Sequence, residues 1–478
     1  MKFADRILSK LRPAFSREAA FKWFACIAIA FLCGLGNGGM AGIVRALSLR
    51  FGCYCSIEHF FRSTAFCAET LLLYWARAVR ELAPLFRLGD GRAVLIGDGV
   101  KQAHEGSHMP GVKKHSQQSE NSSEPSFIYG HLWGGLGILA EAGALSYCIP
   151  LSLTIQNGLA EAFGWIGREE RTDSHVVQSV RALCEAAQEI SGGAVGVLDA
   201  YFMSVGAVKM AKEYGTDLIM RAKPSYVGYE RPAELQPGEK RKPGRPRKTG
   251  ESVKLSSVFE SDKASFIAAK AVLYGKEETV LIHSKKLLWG KGLNEELLFV
   301  FAITGSGQIV LGCTDTEMPA ETALELYSRR FSIESAFKAL KQTLNCFGAQ
   351  FWTKAMPKLD RYAKKGALSP LEAVKDPKDQ EKILRAVEAA ERFAAIACIA
   401  LGTLQMVSMK YAQAGTVPAM RFVRTAHGSA PSVESVAAGF RALLGLSPDS
   451  ELFGTFSKLK GLRMKPEEFD LYRLYDIA

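Results

Sequence analysis

The chain reads as a mixed α/β protein, one β-sheet with flanking helices and further helical regions before and after it, and three observations predict this. Short apolar runs form first a hairpin and then alternate with helical stretches between residues 93 and 220. A second block of strand-like runs, separated by turn residues, lies between 266 and 313. The segments before residue 88 and after residue 379 carry the apolar spacing of helices.

In order along the chain, helices are expected at 19–33, 40–50 and 57–82, the last ending before Pro84. Residues 93–96 are a buried strand that delivers Asp98 at its end. Strands at 127–139 and 144–153 are joined by the turn at Glu141, Ala142 and Gly143. A helix at 168–191 leads to a second buried strand, 194–198, with Asp199 at its carboxyl end, followed by a helix at 204–214 and a strand at 216–220. From 223 to 319 the pattern becomes β-rich, with strands at 266–273, 279–285, 297–304 and 309–313 and turns near Gly275, Gly292 and Gly305. The run from Lys240 to Lys248 is too charged and proline-rich to pack and is expected to be a mobile loop. Beyond residue 351 the chain is irregular, then helical at 379–411 and 432–445, and no internal repeat is evident.

Bulk properties narrow the function. A chain of 478 residues, 48% hydrophobic and 23% charged, has material for a sizeable core and two to four domains. The net charge of +11 favours a polyanionic partner, because cations that neutralise phosphates release counterions. The ten cysteines are scattered rather than paired, which suits reduced thiols in a cytosolic protein. Cys53 and Cys55 lie too close together for the usual zinc spacing, even with His59 as a further donor. Residues 23–44 carry no charge over a length near that of a bilayer span, but glycines interrupt the second half and no cleavage site follows. This run and the shorter uncharged run 393–409 are read as core helices, and no membrane association is expected.

The most telling stretch is Tyr327-Ser328-Arg329-Arg330-Phe331-Ser332-Ile333-Glu334, followed by Lys338 and Lys341. On one continuous helix, at about 100° per residue, Tyr327, Arg330, Glu334, Lys338 and Lys341 fall within an arc of about 80°. Leu326, Ile333, Ala336, Phe337, Leu340 and Leu344 form the adjoining apolar stripe. A carboxylate ringed by cations suits a phosphodiester held next to a metal, although an ordinary amphipathic helix with a solvated polar face has the same pattern.

The spacing Y-x2-R-x3-E-x6-K resembles the signature of the insertion-sequence-4 family of DDE transposases, cut-and-paste enzymes with a ribonuclease H-like catalytic core. Residues 96–99, Ile-Gly-Asp-Gly, and 197–202, Val-Leu-Asp-Ala-Tyr-Phe, look like the family's two other signatures. The resemblance spans residues 90–345. It implies a domain order of an end-binding helical region at 1–88, the first part of a ribonuclease H-like core at 89–222, a β-rich insertion with a basic loop at 223–319, the glutamate helix at 320–350, and a helical region at 351–478 that is a candidate for dimerisation.

It further implies that Asp98, Asp199 and Glu334 are catalytic metal ligands, and that Tyr327, Arg330 and Lys341 hold the DNA backbone near the cut end. Three hard oxygen donors in one pocket repel one another unless a divalent cation sits among them, and Mg²⁺, with Mn²⁺ as a substitute, is the expected ion. Two ions about 3.5–4 Å apart would serve an in-line displacement at phosphorus. Taken singly, Asp98 also reads as a turn residue before Gly99 and Asp199 as a helix N-cap.

Further DNA contacts are expected from Lys338 and from Arg221 and Lys223 after the strand that follows Asp199. Arg245 and Arg247 lie in or beside Pro243-Gly244-Arg245-Pro246, which resembles the minor-groove AT-hook core. Trp289, among Lys285, Lys286 and Lys291, falls where the family places an aromatic residue that stacks on a flipped base, or else it is a core tryptophan. The polar loop carrying Lys101, His104, His108, Lys113, Lys114 and His115 either contacts DNA, closes over the site or is simply a flexible loop, while His131 is expected to make a structural hydrogen bond.

The function expected is that of a DNA transposase that cleaves transposon ends and transfers the strand into target DNA. Its partners would be double-stranded DNA of the terminal repeats and target, and a second copy in a synaptic homodimer. Its location would be the bacterial cytoplasm, associated with the nucleoid when bound to DNA. The alternatives are a metal-dependent nuclease of the same fold without strand transfer, and a non-catalytic DNA-binding protein descended from a transposase.

Overall fold

The computed structural model describes residues 2–34, 39–104, 106–116, 126–143, 145–233, 247–360, 369–415, 430–446 and 461–464. Its strands are Ala93–Ala103 (β1), Lys113–Ser116 (β2), Phe127–Ala142 (β3), Leu145–Ile155 (β4), Ala194–Leu198 (β5), Asp217–Arg221 (β6), Val227–Tyr229 (β7), Ser252–Lys254 (β8), Ile267–Leu273 (β9), Lys276–Trp289 (β10), Glu295–Thr304 (β11) and Gly307–Cys313 (β12). The mixed α/β expectation holds. The chain divides into two compact units, one of Met1–Leu85, Gly99–Ser174 and Glu334–Ala478, the other of Phe86–Asp98 and His175–Ile333.

The second of these units is built on a sheet. The first half of β1 pairs in parallel with β5, and β5 with β6; β12 then pairs antiparallel with β6, and β11 and β10 follow as an antiparallel meander. Strand β5, Ala-Val-Gly-Val-Leu, is buried at every position, as a parallel strand covered on both faces must be. The helices His175–Gln188 and Val205–Tyr214 flank this parallel part in sequence. The second starts where the Ser204 hydroxyl accepts the amide of Ala207 and stops at Gly215, whose φ of 62° is left-handed. The strands expected to form a separate insertion therefore extend the core sheet, joined to it through the pairing of Arg221 with Leu311.

The other unit is organised around the helix Pro377–Gln413. Asp376 caps it by accepting the amide of Lys378, and Pro377 occupies its first turn, where a missing N–H costs nothing. Its apolar window is long enough to cross a membrane but is 89% buried inside the protein, which makes it a core helix. It packs on the β3–β4 hairpin and on the helices Glu18–Leu32, Ala68–Leu82 and Val433–Leu446. Gly402 is what permits the closest approach, since a Cβ there would lie 2.4 Å from Trp75 Cζ2 and 2.9 Å from Ile149 Cγ2. Trp75 Nε1 in turn donates to the Pro150 carbonyl at 2.8 Å. Glu391, buried on the long helix, accepts from Arg171 at 2.6 Å and from the amide of Ile155 at 2.9 Å.

Several boundaries differ from the sequence reading. The helix expected at 57–82 is two, Cys53–Phe61 and Ala68–Leu82, because the Arg392 guanidinium donates to the carbonyls of Phe61 and Ser63 and so satisfies the end of the first. The helix expected at 168–191 is a 3₁₀ turn, Glu169–Arg171, followed by His175–Gln188. Strand β1 runs five residues past Asp98 instead of ending there, although its pairing with β5 stops at Gly97. The glutamate helix is also interrupted, as Ala320–Arg329 and Ser332–Gln342 are separate helices. Bonds of the i to i+3 kind, Arg330 N to Tyr327 O and Ile333 N to Arg330 O, tighten the chain between them. No Pro or Gly lies at this break. There, Arg329 is drawn onto the Phe86 ring at 4.4 Å and Arg330 onto Asp98.

Candidate active site

Strand register brings the first functional residues together. Gly97 is level with Leu198 in β5, and Leu198 with Met220 in β6, so the next residues along the three strands are Asp98, Asp199 and Arg221. Neighbouring strands lie about 4.8 Å apart, which sets these three residues at neighbouring positions where the parallel pairing ends. Apart from Asp217 at the start of β6, the strands are apolar and buried up to that row, and the row itself is polar.

The helix Ala320–Arg329 and the tight turn after it supply two more groups. Arg330 Nη1 donates to Asp98 Oδ2 at 2.8 Å, with the two side chains only 14% and 19% exposed, a charge-assisted bond largely withdrawn from water. The Tyr327 hydroxyl donates to Asp199 Oδ1 at 3.4 Å, and the same oxygen accepts the amide of Ala200 at 2.7 Å. The Arg330 guanidinium stands 5.9 Å from the centre of the Tyr327 ring. Burial raises the Tyr327 phenol above its ordinary pKa, the Asp199 charge adds to the rise, and Arg330 and Arg221 oppose it. Tyr327 thus stays a neutral donor near neutral pH. Asp98, Asp199, Arg221, Tyr327 and Arg330 form one constellation within one packing unit.

Glu334 is the first residue of the other unit and lies in the first turn of Ser332–Gln342, half-exposed. In that unit, Lys341 Nζ donates to the Lys101 carbonyl at 3.3 Å, and burial lowers its pKa. Lys338 is exposed. The single-helix arc that united Tyr327, Arg330, Glu334, Lys338 and Lys341 does not apply, because the helix breaks at Arg330 and Phe331. Among the described residues, no three His, Cys, Asp or Glu side chains are grouped closely enough to hold a metal.

Of the remaining expected DNA contacts, Arg221, Lys223 and Arg247 are exposed, and Arg245 lies outside the described residues. Trp289 is corrected to a core position in this conformation: it is 8% exposed, with its ring 5.8 Å from that of Tyr226, so it presents no face for a base. Among the histidines, His131 makes the structural hydrogen bond expected of it, donating from Nε2 to the Pro110 carbonyl at 2.7 Å. The sequence reading passed over Tyr201, which is 58% exposed just beyond Asp199 and stacked on His175. Its only signal in the sequence was its place in the Asp199 motif.

Residues 170–352 match the model of a protein family described as the transposase DDE domain. The matched segment contains Asp199, Tyr327, Arg330, Glu334, Lys338 and Lys341 and begins after Asp98. No curated protein matches the chain.

Proposed function

We propose that this chain is a DNA transposase of the DDE type, of the insertion-sequence-4 kind, with a ribonuclease H-like core. It would cleave the ends of a mobile element and join the exposed 3′-hydroxyl to target DNA. The match to a transposase DDE domain supports a transposase or nuclease-type enzyme. The observation that carries the site is the level pairing of β1 and β5, which sets Asp98 beside Asp199, with Arg330 and Tyr327 each hydrogen-bonded to one of them.

The donor set suits a hard divalent cation, since Asp98 in β1 and Asp199 just after β5 offer carboxylate oxygens from adjacent strands, and Mg²⁺ or Mn²⁺ prefers oxygen ligands. Asp98 and Asp199 would hold such an ion, with Glu334 as the further ligand. When bound there, one or two ions would supply Lewis-acid stabilisation of charge at the phosphorus and a more acidic attacking water. The chain's own groups do the remainder. Arg330 fixes the Asp98 carboxylate and places a second cation face where a phosphodiester would lie. Tyr327 donates to Asp199 and so restrains its carboxylate, and Arg221 adds positive charge to the same row. Lys338, Lys341, Lys223, Arg245 and Arg247 would neutralise backbone phosphates on either side.

Double-stranded DNA is the partner this implies, as terminal repeats and as target. A homodimer in the synaptic complex follows from the need to cut two ends together, and a bacterial cytoplasmic location follows from the substrate. The test is cleavage of duplex DNA carrying the repeats that flank the gene, with Mg²⁺ and with Mn²⁺. Asp98→Asn, Asp199→Asn and Glu334→Gln should each abolish cleavage and joining while leaving the fold and DNA binding in place. Cleavage that survives all three substitutions would defeat the reading, and cleavage without joining would favour a nuclease of the same fold.

A further inference from the structure

Tyr201 is a large aromatic side chain left 58% exposed two residues beyond Asp199. It is not a loose surface group. Its ring lies nearly parallel to that of His175, with centroids 5.0 Å apart and planes at 17°. On its other side in sequence, Phe202 is buried at 3% exposure and meets the Tyr201 ring edge-on, at 5.9 Å and 89°. The backbone between is stiff as well, because the Phe202 amide donates to the Asp199 carbonyl at 3.0 Å and the Ala200 amide to the Asp199 carboxylate at 2.7 Å. An aromatic ring held in place from behind, with more than half its surface left in water, has the form of a stacking platform.

Its position says what it would stack on. Two residues of chain separate the Cα atoms by at most roughly 7 Å, so, with the length of the two side chains added, a group resting on Tyr201 lies within a few nucleotides of anything bound at Asp199. Bases inside a duplex are covered by their neighbours and offer no free face; an unpaired base does, and base–aromatic stacking accepts any base.

We infer that Tyr201, backed by His175, is a stacking platform for an unpaired nucleobase of DNA within a few nucleotides of the phosphate held at Asp98 and Asp199. This rests on the proposed function, for it takes DNA as the ligand and the Asp98–Asp199 pair as the phosphate site. Tyr201 is accordingly a positioning residue, acting on where the strand lies rather than on the reacting atoms.

The experiment measures binding, separately from cleavage. The full-length protein is titrated, without divalent metal, into two probes: a blunt duplex, and the same duplex with a short single-stranded extension that carries 2-aminopurine. The wild type should bind the extended probe more tightly and change its 2-aminopurine fluorescence. Tyr201→Ala should weaken binding of the extended probe by roughly 10- to 100-fold, the scale of one base–aromatic stack, remove the fluorescence change and leave the blunt duplex unaffected. Tyr201→Trp should restore both signals, and His175→Ala should weaken them in part. A wild type with no preference for the extended probe, or a Tyr201→Ala variant that keeps that preference, overturns the inference. Because no cleavage is involved, a platform that behaves as stated in a protein that never cuts DNA would sink the transposase reading alone.

Discussion

Arg330 Nη1 donates to Asp98 Oδ2 at 2.8 Å across 232 residues of sequence, tying the turn after one helix to the middle of β1. Both side chains are mostly withdrawn from water, so removing either one takes a charge-assisted bond from a largely buried charge. Arg330→Ala should lower the rate of DNA cleavage by about two orders of magnitude and cost roughly 2–4 kcal/mol of stability, as a largely buried carboxylate loses this charge-assisted bond. Arg330→Lys keeps the charge without the fork and should recover stability better than rate. Steady-state cleavage and urea unfolding of the two variants check this; equal recovery of both properties in Arg330→Lys would count against a role for the guanidinium in the reaction.

Asp98 and Asp199 carry like charges at neighbouring positions, so a divalent cation should stabilise the folded chain by binding there. Thermal unfolding of the wild type should move to higher temperature with added Mn²⁺. Asp98→Asn or Asp199→Asn should remove most of that shift; without metal, Asp199→Asn should leave the transition in place and Asp98→Asn should lower it through the lost ion pair with Arg330. A Mn²⁺ shift that persists unchanged in both variants would locate the ion elsewhere.

Gly402 lies in the middle of the long central helix against Trp75 and Ile149. Intrinsic helix propensity favours Ala over Gly by about 1 kcal/mol, yet a methyl here would stand 2.4 Å from a Trp75 carbon. Overpacking should win, and Gly402→Ala should destabilise the protein by roughly 1–3 kcal/mol in urea. A stabilised variant would mean that Trp75 has room to retreat.

His131 is buried beside His104, and burial, followed by the charges of His104 and His115, pushes its pKa down to about 3, against the Pro110 hydrogen bond that favours the protonated ring. The unfolded chain takes up this proton near pH 6.5, well before the folded one does. Stability from the neutral ring is therefore complete above about pH 6.5 and is lost as pH falls from there toward 3. Between about pH 7 and pH 5 the urea midpoint should fall, and His131→Phe should flatten the dependence. His104, whose pKa burial also lowers, acts in the same direction and should leave a residual slope.

Much of the local structure was legible in the residues. The apolar run before Asp98, the pentapeptide before Asp199 and the four strands after residue 266 announce themselves because alternation and continuous burial leave a local imprint. The glutamate helix was read as continuous because its residues have helical propensity throughout, and nothing in the sequence shows that Phe86 and Asp98 hold the two arginines at its break. For Trp289 the lysines around it leave open both a base-stacking aromatic and a core tryptophan, and alternation along β10, which turns Lys285 and Lys286 to opposite faces and packs Trp289 on Tyr226, decides for the core. Tyr201 stands in the sequence only as part of the Asp199 motif, and its exposure is set by the tertiary structure.

By itself, then, the amino-acid sequence determined the type and order of the secondary elements, the excess of positive charge, and the motifs in which Asp98, Asp199 and Glu334 stand. These depend on neighbours a few residues away. Only the tertiary structure decided that Asp98 and Asp199 are level, that Arg330 and Tyr327 each bond to one of them, and that Glu334 opens the other packing unit. Those relationships depend on which strands pair and in what register, and pairing between distant segments is set by the burial of whole faces against one another, which no local pattern encodes.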